Sequence, residues 1–475
     1  MAKRIREKVE SAFENKVSNQ GILAFFSGAL GSMLVFLPSW PGFMSYDSLQ
    51  MIRESRTEVS GGIYPTAPVY LLRFLDFLFG RGPELLFGLQ VFVICFSVSL
   101  ISLRVFRDYR LPVIVTISVI GNPLVYGCMM VLWKDVTLSA MCIVSIALIY
   151  LRDSSSSERI RKFSAFNAVP LILIFATCFR FNAIPLTLGI FIYWLRVFAP
   201  AYTKPRAIIT SCAWAMAAIV VGFLFASIRL PDLKPLPPST NLEATLAYDL
   251  LGMSYHANTA LVPFDTKTAK SQKLDLEIIK GTYSPLGVLV MQNNAASLGT
   301  ELKIFPETYS RDDIFLAWLQ GVTSHPYAYL GYRNDIFGEI IGLTDHVTYE
   351  PTHFNKVDEN DLGIRFSDSF FTLPALGYVY LGSTLVIGKP WFTLALSTIA
   401  LSVIWRRRIG SEDFRRLLLF TYLSSIAYLA PYYLIAATGE VRYAMPSTLG
   451  FSICASLAGL AILIEPKKKS HLRMQ

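Results

Sequence analysis

Residues 85–104 read LLFGLQVFVICFSVSLISLR, and the only charge comes at the last position. A helix needs about 20 mostly apolar residues to cross the hydrocarbon core of a bilayer. This stretch has that length and composition, and similar stretches recur on both sides of it. They lie at 21–39, 111–128, 136–151, 165–179, 183–197, 207–228, 389–405, 417–437 and 444–464. The expectation is an all-α polytopic membrane protein of about ten transmembrane helices. Composition agrees: 53% of the 475 residues are hydrophobic and 16% charged, against about 25% charged in soluble domains. A disordered chain, a coiled coil and an ordinary cytosolic enzyme are thereby excluded.

The net charge of +9 raises the question of nucleic acid, but the basic residues do not form a binding face. They sit in short clusters between apolar runs: 3–16, Arg104/Arg110, Arg152/Arg161, Arg196/Arg206, Arg406–Arg416 and Lys467–Arg473. With ten spans every cluster falls on one side, which the positive-inside rule makes the cytoplasm. No nucleic-acid partner is expected. The first span follows a basic leader without a small-residue cleavage site after it, so it reads as an uncleaved anchor. The six cysteines lie in or beside apolar runs and read as buried small hydrophobes, with no disulfide framework and no zinc spacing.

This topology divides the chain into a cytoplasmic leader (1–20), an N-terminal membrane module (21–228) with a first outer loop (40–84), an outer segment (229–388), C-terminal spans (389–464) and a cytoplasmic tail (465–475). The outer segment opens on a Pro-rich linker, LPDLKPLPPS, and shows helical patterns near 241–254, 269–280 and 311–341. It predicts a small, mostly helical periplasmic cap. Two further apolar stretches, 66–80 and 370–387, read as amphipathic helices along the outer interface. Residues 165–197 read as a hairpin of two short helices with Arg180 at its outer tip. A single span there would place Arg180 near the membrane centre, at a cost of roughly 2.5–3.5 kcal/mol.

The span interiors carry almost no ionisable residue, which argues against a proton-coupled carrier. The ionisable groups at span ends gather on the outer side. Asp47 lies in WPGFMSYDS, Lys134 and Asp135 in WKD, Arg180 and Asn182 in RFN, and Glu440, Arg442 and Tyr443 in GEVRY. Asp47 also suits a helix N-terminus, and Trp133-Lys134 an interfacial belt. Together, however, four separate loops bring acids and bases to one face. Asp47 is a candidate general base, with Asp135 as a second carboxylate facing it. An arginine fork suits a phosphate, so Arg180 and Arg442, with Lys134 and Arg333, are candidate donor-phosphate ligands. Tyr64, Asn182, Glu440 and Tyr443 are candidates for sugar or acceptor hydroxyls. The outer histidines lack metal-site spacing. There is no P-loop, G-x-G-x-x-G, G-x-S-x-G or H-E-x-x-H.

These stretches, with YPTAP (64–68) and HPYAYLGYR (325–333), resemble the GT-C superfamily of integral membrane glycosyltransferases. The nearest group is that of the protein O-mannosyltransferases and lipid A aminoarabinose transferases. The resemblance implies a GT-C-like fold and an inverting transferase. Its polyprenyl-phosphate sugar donor would sit at the outer face of the membrane, and its acceptor would be a glycan, lipid or protein; the lack of cysteines in the outer segment points to a bacterial inner membrane. It also implies a catalytic or metal-organising role for Asp47. The pattern departs from many relatives, with Ser48 where they carry a second acid and Tyr64-Pro65-Thr66 where they carry His-Pro-Pro. A divalent metal is compatible with this chemistry but not required, because arginine and lysine can neutralise a leaving phosphate. A flippase or a glycan polymerase or ligase would also need outer arginines. A flippase should in addition have a polar path through the membrane, and none is visible.

Overall fold

The computed structural model describes residues 2–57, 65–106, 108, 110–153, 168–198, 204–227, 241–261, 276–299, 311–344 and 351–464. Tyr64, the Pro-rich linker, His346 and the basic tail lie outside the described residues. Among the described residues the architecture is helical, with isolated β-bridges and no strand.

The N-terminal module comprises α1 (Ala2–Ser39), α2 (Tyr46–Arg56), α3 (Thr66–Phe79), α4 (Gly82–Phe106), α5 (Leu111–Ile120), α6 (Pro123–Met129), α7 (Lys134–Asp153), α8 (Ala168–Phe179), α9 (Ile184–Phe198) and α10 (Lys204–Ser227). The segment that follows contributes α11 (Asn241–Ala257), α12 (Leu276–Thr282), α13 (Val288–Ser297), α14 (Arg311–Ser324), α15 (Pro326–Ile341) and α16 (Thr372–Thr384). The chain ends on α17 (Pro390–Arg407), α18 (Glu412–Leu429), the short α19 (Tyr432–Ile435) and α20 (Met445–Ile464).

Each expected span is largely helical where it is described, yet among the described residues only five stretches are both long and apolar enough to cross a membrane: Gly21–Ser39, Gly82–Phe106, Lys134–Arg152, Glu412–Ile435 and Val441–Ile464. The expected straight span at 111–128 is instead broken. Its halves α5 and α6 meet at 83°, because Asn122 caps a new helix. The Asn122 side chain accepts from the amides of Leu124 and Val125, and Pro123 occupies the first turn. Counting this pair as one raises the total to six. Helices α8 and α9 are too short to count. The hydroxyls of Thr177 and Thr187 lie 3.1 Å apart, so the chain doubles back at Arg180 as the hairpin reading expects. The helix stop at His325 and restart at Pro326 also appear as expected, whereas α13 had no clear signal.

Packing follows the apolar faces. Helix α1 lies along α4, α4 along α7, α9 along α18, and α20 against both α17 and α18. Small residues let helices approach closely, as is usual in membranes. Gly450 faces Ser425, and Gly189 faces Ser424, with no room for a Cβ at either position. One core cluster runs from Val35 through Val91, Ile143 and Phe191 to Phe451. A second, small cluster of Leu246, Leu250, Met253 and Ile314 holds the cap together. Outward-facing positions stay apolar: Phe26, Leu171, Ile209 and Ile399 are all more than 60% exposed. A belt of this kind needs lipid rather than water around it. Five cysteines are buried, but Cys212 is exposed on α10, contrary to the expectation for all six.

Candidate active site

The loop after α1 is held by main-chain bonds on both sides. The Phe43 amide donates to the carbonyl of Met130 and the Leu132 amide to that of Phe43, at 2.8 and 2.9 Å. The Met44 amide donates to Lys356 and the Asp358 amide to Met44, at 2.7 and 3.1 Å. Residues 43–44 thus lie between 130–132 and 356–358. Gly42 makes the preceding turn possible. Its φ of +113° suits a residue without a side chain, and a Cβ there would lie 2.8 Å from the Phe87 ring. The Ser48 hydroxyl donates to the Leu132 carbonyl at 2.9 Å and the Trp133 indole to Ser45 at 2.9 Å. Asp47, in the first turn of α2 where a helix favours an acid, is therefore set beside Trp133-Lys134-Asp135.

The other charged groups arrive from the turn at Arg180 and from the segment before α20. Arg442 Nη1 lies 2.6 Å from Asp47 Oδ2, and its Nε pairs with Glu440. Arg180 pairs with Asp135. The guanidinium of Arg180 sits 4.9 Å from the centre of the Tyr443 ring, and that of Arg442 lies 5.3 Å from the Trp133 ring. Lys134 is within electrostatic reach of Asp47, Glu440, Arg180 and Arg442. Three carboxylates thus face three cations in one cluster. Asp47, Asp135, Lys134, Arg180, Asn182, Glu440, Arg442 and Tyr443, all singled out from sequence, are brought together.

Burial separates their roles. Asp135 is 1% exposed and committed to Arg180, whereas Asp47 and Glu440 keep 24% and 35% of their side-chain surface. Asp135 does not face Asp47 as an open second carboxylate; it anchors Arg180. Asn182 donates to the Tyr432 hydroxyl at 2.5 Å, and Tyr432 is 2.9 Å from the Tyr428 hydroxyl. The Tyr432 ring stacks on Tyr443 with centroids 5.3 Å apart. These two tyrosines were not foreseen; an i, i+4 pair in an apolar run carries no polar signal. Thr438, also unforeseen, lies 3.3 Å from the Tyr443 hydroxyl.

Arg333 is the exception among the expected phosphate ligands. It is buried in the cap, pairs with Asp249 and donates to the Ala436 carbonyl at 2.7 Å. It does not join the charged cluster, because an acid on α11 and a backbone carbonyl already use its fork. Burial pushes the Asp249 carboxyl up to about 6, against the pull of Arg333. His256 pairs with Asp335 and His353 with Asp358.

Among the described residues, no group of three or more His, Cys, Asp or Glu could hold a metal ion. In the cluster itself Asp47 and Glu440 both engage one guanidinium. That donor set does not fit a divalent cation.

No protein-family model matches the chain, and no curated protein matches it. A solved structure with some likeness is the apo oligosaccharyltransferase of Archaeoglobus fulgidus. It aligns over 96% of this chain and 52% of its own, at 11% identity and a TM-score of 0.34. The chain spans about half the length of that protein, and a likeness this slight carries no argument about family or activity.

Proposed function

We propose that the protein is a membrane glycosyltransferase of GT-C type. In this reading it moves a sugar, with inversion, from a polyprenyl-phosphate donor to a glycan, lipid or protein acceptor at the outer face of the membrane. The single observation that carries the reading is the Asp47–Arg442 pair, set among Arg180, Lys134 and Glu440 at the ends of apolar helices. Such a position gives access both to a lipid-borne headgroup and to a water-borne acceptor.

The charges suggest how the site works. Three acids and three bases roughly balance, so an arriving phosphate must compete with a carboxylate for a cation. Asp47 and Glu440 are the more exposed carboxylates. A phosphate oxygen on Arg442 displaces Asp47, and the freed carboxylate then accepts the proton of the acceptor hydroxyl. The hydroxyl oxygen bonds to the anomeric carbon as the bond from that carbon to the phosphate oxygen breaks. Arg442, Arg180 and Lys134 stabilise the charge growing on the departing phosphate. Asp135 keeps Arg180 in place, and Glu440, Asn182 and Tyr443 are set to meet sugar or acceptor hydroxyls.

The test is to incubate the purified protein with polyprenyl-phosphate sugars and, separately, with polyprenyl-diphosphate glycans. Consumption of the monophosphate donor, lost in Asp47→Ala, supports the proposal. Consumption of the diphosphate alone indicates a polymerase or ligase. Consumption of neither, with transbilayer movement of the lipid, indicates a flippase.

A further inference from the structure

The loop that carries Glu440 and Arg442 is gripped from outside the membrane by one cap helix, α15. Four contacts make the grip. Arg333 donates to the carbonyl of Ala436 at 2.7 Å. The Tyr433 hydroxyl donates to Asn334 Oδ1 at 2.9 Å. The Phe337 ring meets the Tyr433 ring edge-on at 5.5 Å. The side chain of Glu339 packs over Gly439, where a Cβ would lie 2.5 Å from the Glu339 Cβ. The cap adds a main-chain bond, from the Gly439 amide to the Pro285 carbonyl at 2.8 Å. Three residues beyond Ala436, this loop turns into the segment that presents Glu440 and Arg442 to Asp47.

Arg333 is the costly member of this set. It is 1% exposed, and a buried guanidinium is retained only where its donors are used. One arm of its fork pairs with Asp249. Asp249 is held in turn by the Trp318 indole, which donates to its Oδ2 at 2.8 Å. The guanidinium also lies over the rings of Tyr329 and Tyr332, at 5.0 and 5.1 Å. The other arm reaches the loop. A planar group with two fixed directions can join a carboxylate on α11 to a carbonyl on the loop; an ammonium offers no such fork.

We propose that Arg333, oriented by Asp249, is a positioning residue for the charged cluster: its bond to Ala436 fixes the backbone that brings Glu440 and Arg442 against Asp47. The effect on turnover rests on the transferase reading above, but the effect on the loop does not. Cap and site are then mechanically one unit, and a disturbance of the cap interior is felt at Arg442.

Hydrogen–deuterium exchange of the full-length protein in detergent or nanodiscs tests this, with Arg333→Met, Arg333→Lys and Asp249→Asn beside wild type. Exchange of the amides in 436–443 should rise by about tenfold or more in Arg333→Met, since a hydrogen bond from a charged group is lost. It should rise less in Arg333→Lys and in the same direction in Asp249→Asn, with α4 and α7 unchanged. Turnover of the polyprenyl-phosphate donor should fall in parallel, and Arg333→Lys should recover part of it. Unchanged protection of 436–443 in a folded Arg333→Met overturns the proposal. Should that variant not fold, unchanged protection in both Arg333→Lys and Asp249→Asn does the same. A wild type that consumes no donor, with the loop still loosened by Arg333→Met, sinks the transferase reading and leaves the brace standing.

Discussion

Nη1 of Arg442 lies 2.6 Å from Oδ2 of Asp47, joining the first turn of α2 to the turn before α20. The pair is neither fully buried nor fully solvated. It therefore has the strength to hold its geometry and the access to be opened by a competing anion.

Asp47→Asn keeps the shape of the side chain and removes the base. Transfer should fall at least about a hundredfold. Thermal unfolding should shift little, because Arg442 retains Glu440. The measurement is donor turnover beside a melting curve of the same preparation. Full activity in Asp47→Asn would remove the proposed base.

Asp135→Ala behaves differently, because it leaves Arg180 buried without its counter-charge. Breaking a buried pair from one side costs roughly 3–5 kcal/mol. The double change Asp135→Asn with Arg180→Gln should cost less than the two single changes added together. Unfolding in detergent of all four members of the cycle gives the coupling. Strict additivity would mean that the two side chains act independently.

The pH dependence of the cap should carry the signature of Asp249. Its carboxyl, ordinarily near 3.8, is raised to about 6 by burial, so the folded cap binds a proton that the unfolded chain has released. Its contribution to stability is complete below the ordinary value and is lost as pH rises through about 6. Relative to Asp249→Asn, wild type should therefore lose melting temperature between pH 4 and pH 6. A constant difference between the two proteins across that range would contradict the assignment.

Membrane orientation is open to labelling. Asn334 and Glu412 are both exposed and belong, in the charge-derived topology, to opposite sides. Asn334→Cys in a chain freed of native cysteines should react with an impermeant maleimide applied from the periplasm, and Glu412→Cys only after the membrane is opened. The reverse pattern would turn the whole molecule over.

The helices were legible because apolar runs report burial directly, and the start of α15 because Pro326 marks a first turn. Helix α6 was hidden for the same reason that the others were visible: Pro123–Met129 continues the apolar run of α5, and the cap at Asn122 is a single polar residue within it. Charged residues at span ends announced that a cluster would form. Their pairing was not legible, since Asp47 with Arg442 and Asp135 with Arg180 depend on how distant loops meet. Arg333 reads from the sequence as one more phosphate ligand, and only the fold brings Asp249 to it.

The bridges on either side of Phe43 and Met44 have a consequence for how this protein tolerates change. The loop that leads to Asp47 is anchored through amide groups, which every residue but proline possesses. Any substitution at 43, 44, 132 or 358 that keeps the amide keeps the donor of these bonds, whereas a proline at any of these four positions deletes one and unmoors the carboxylate.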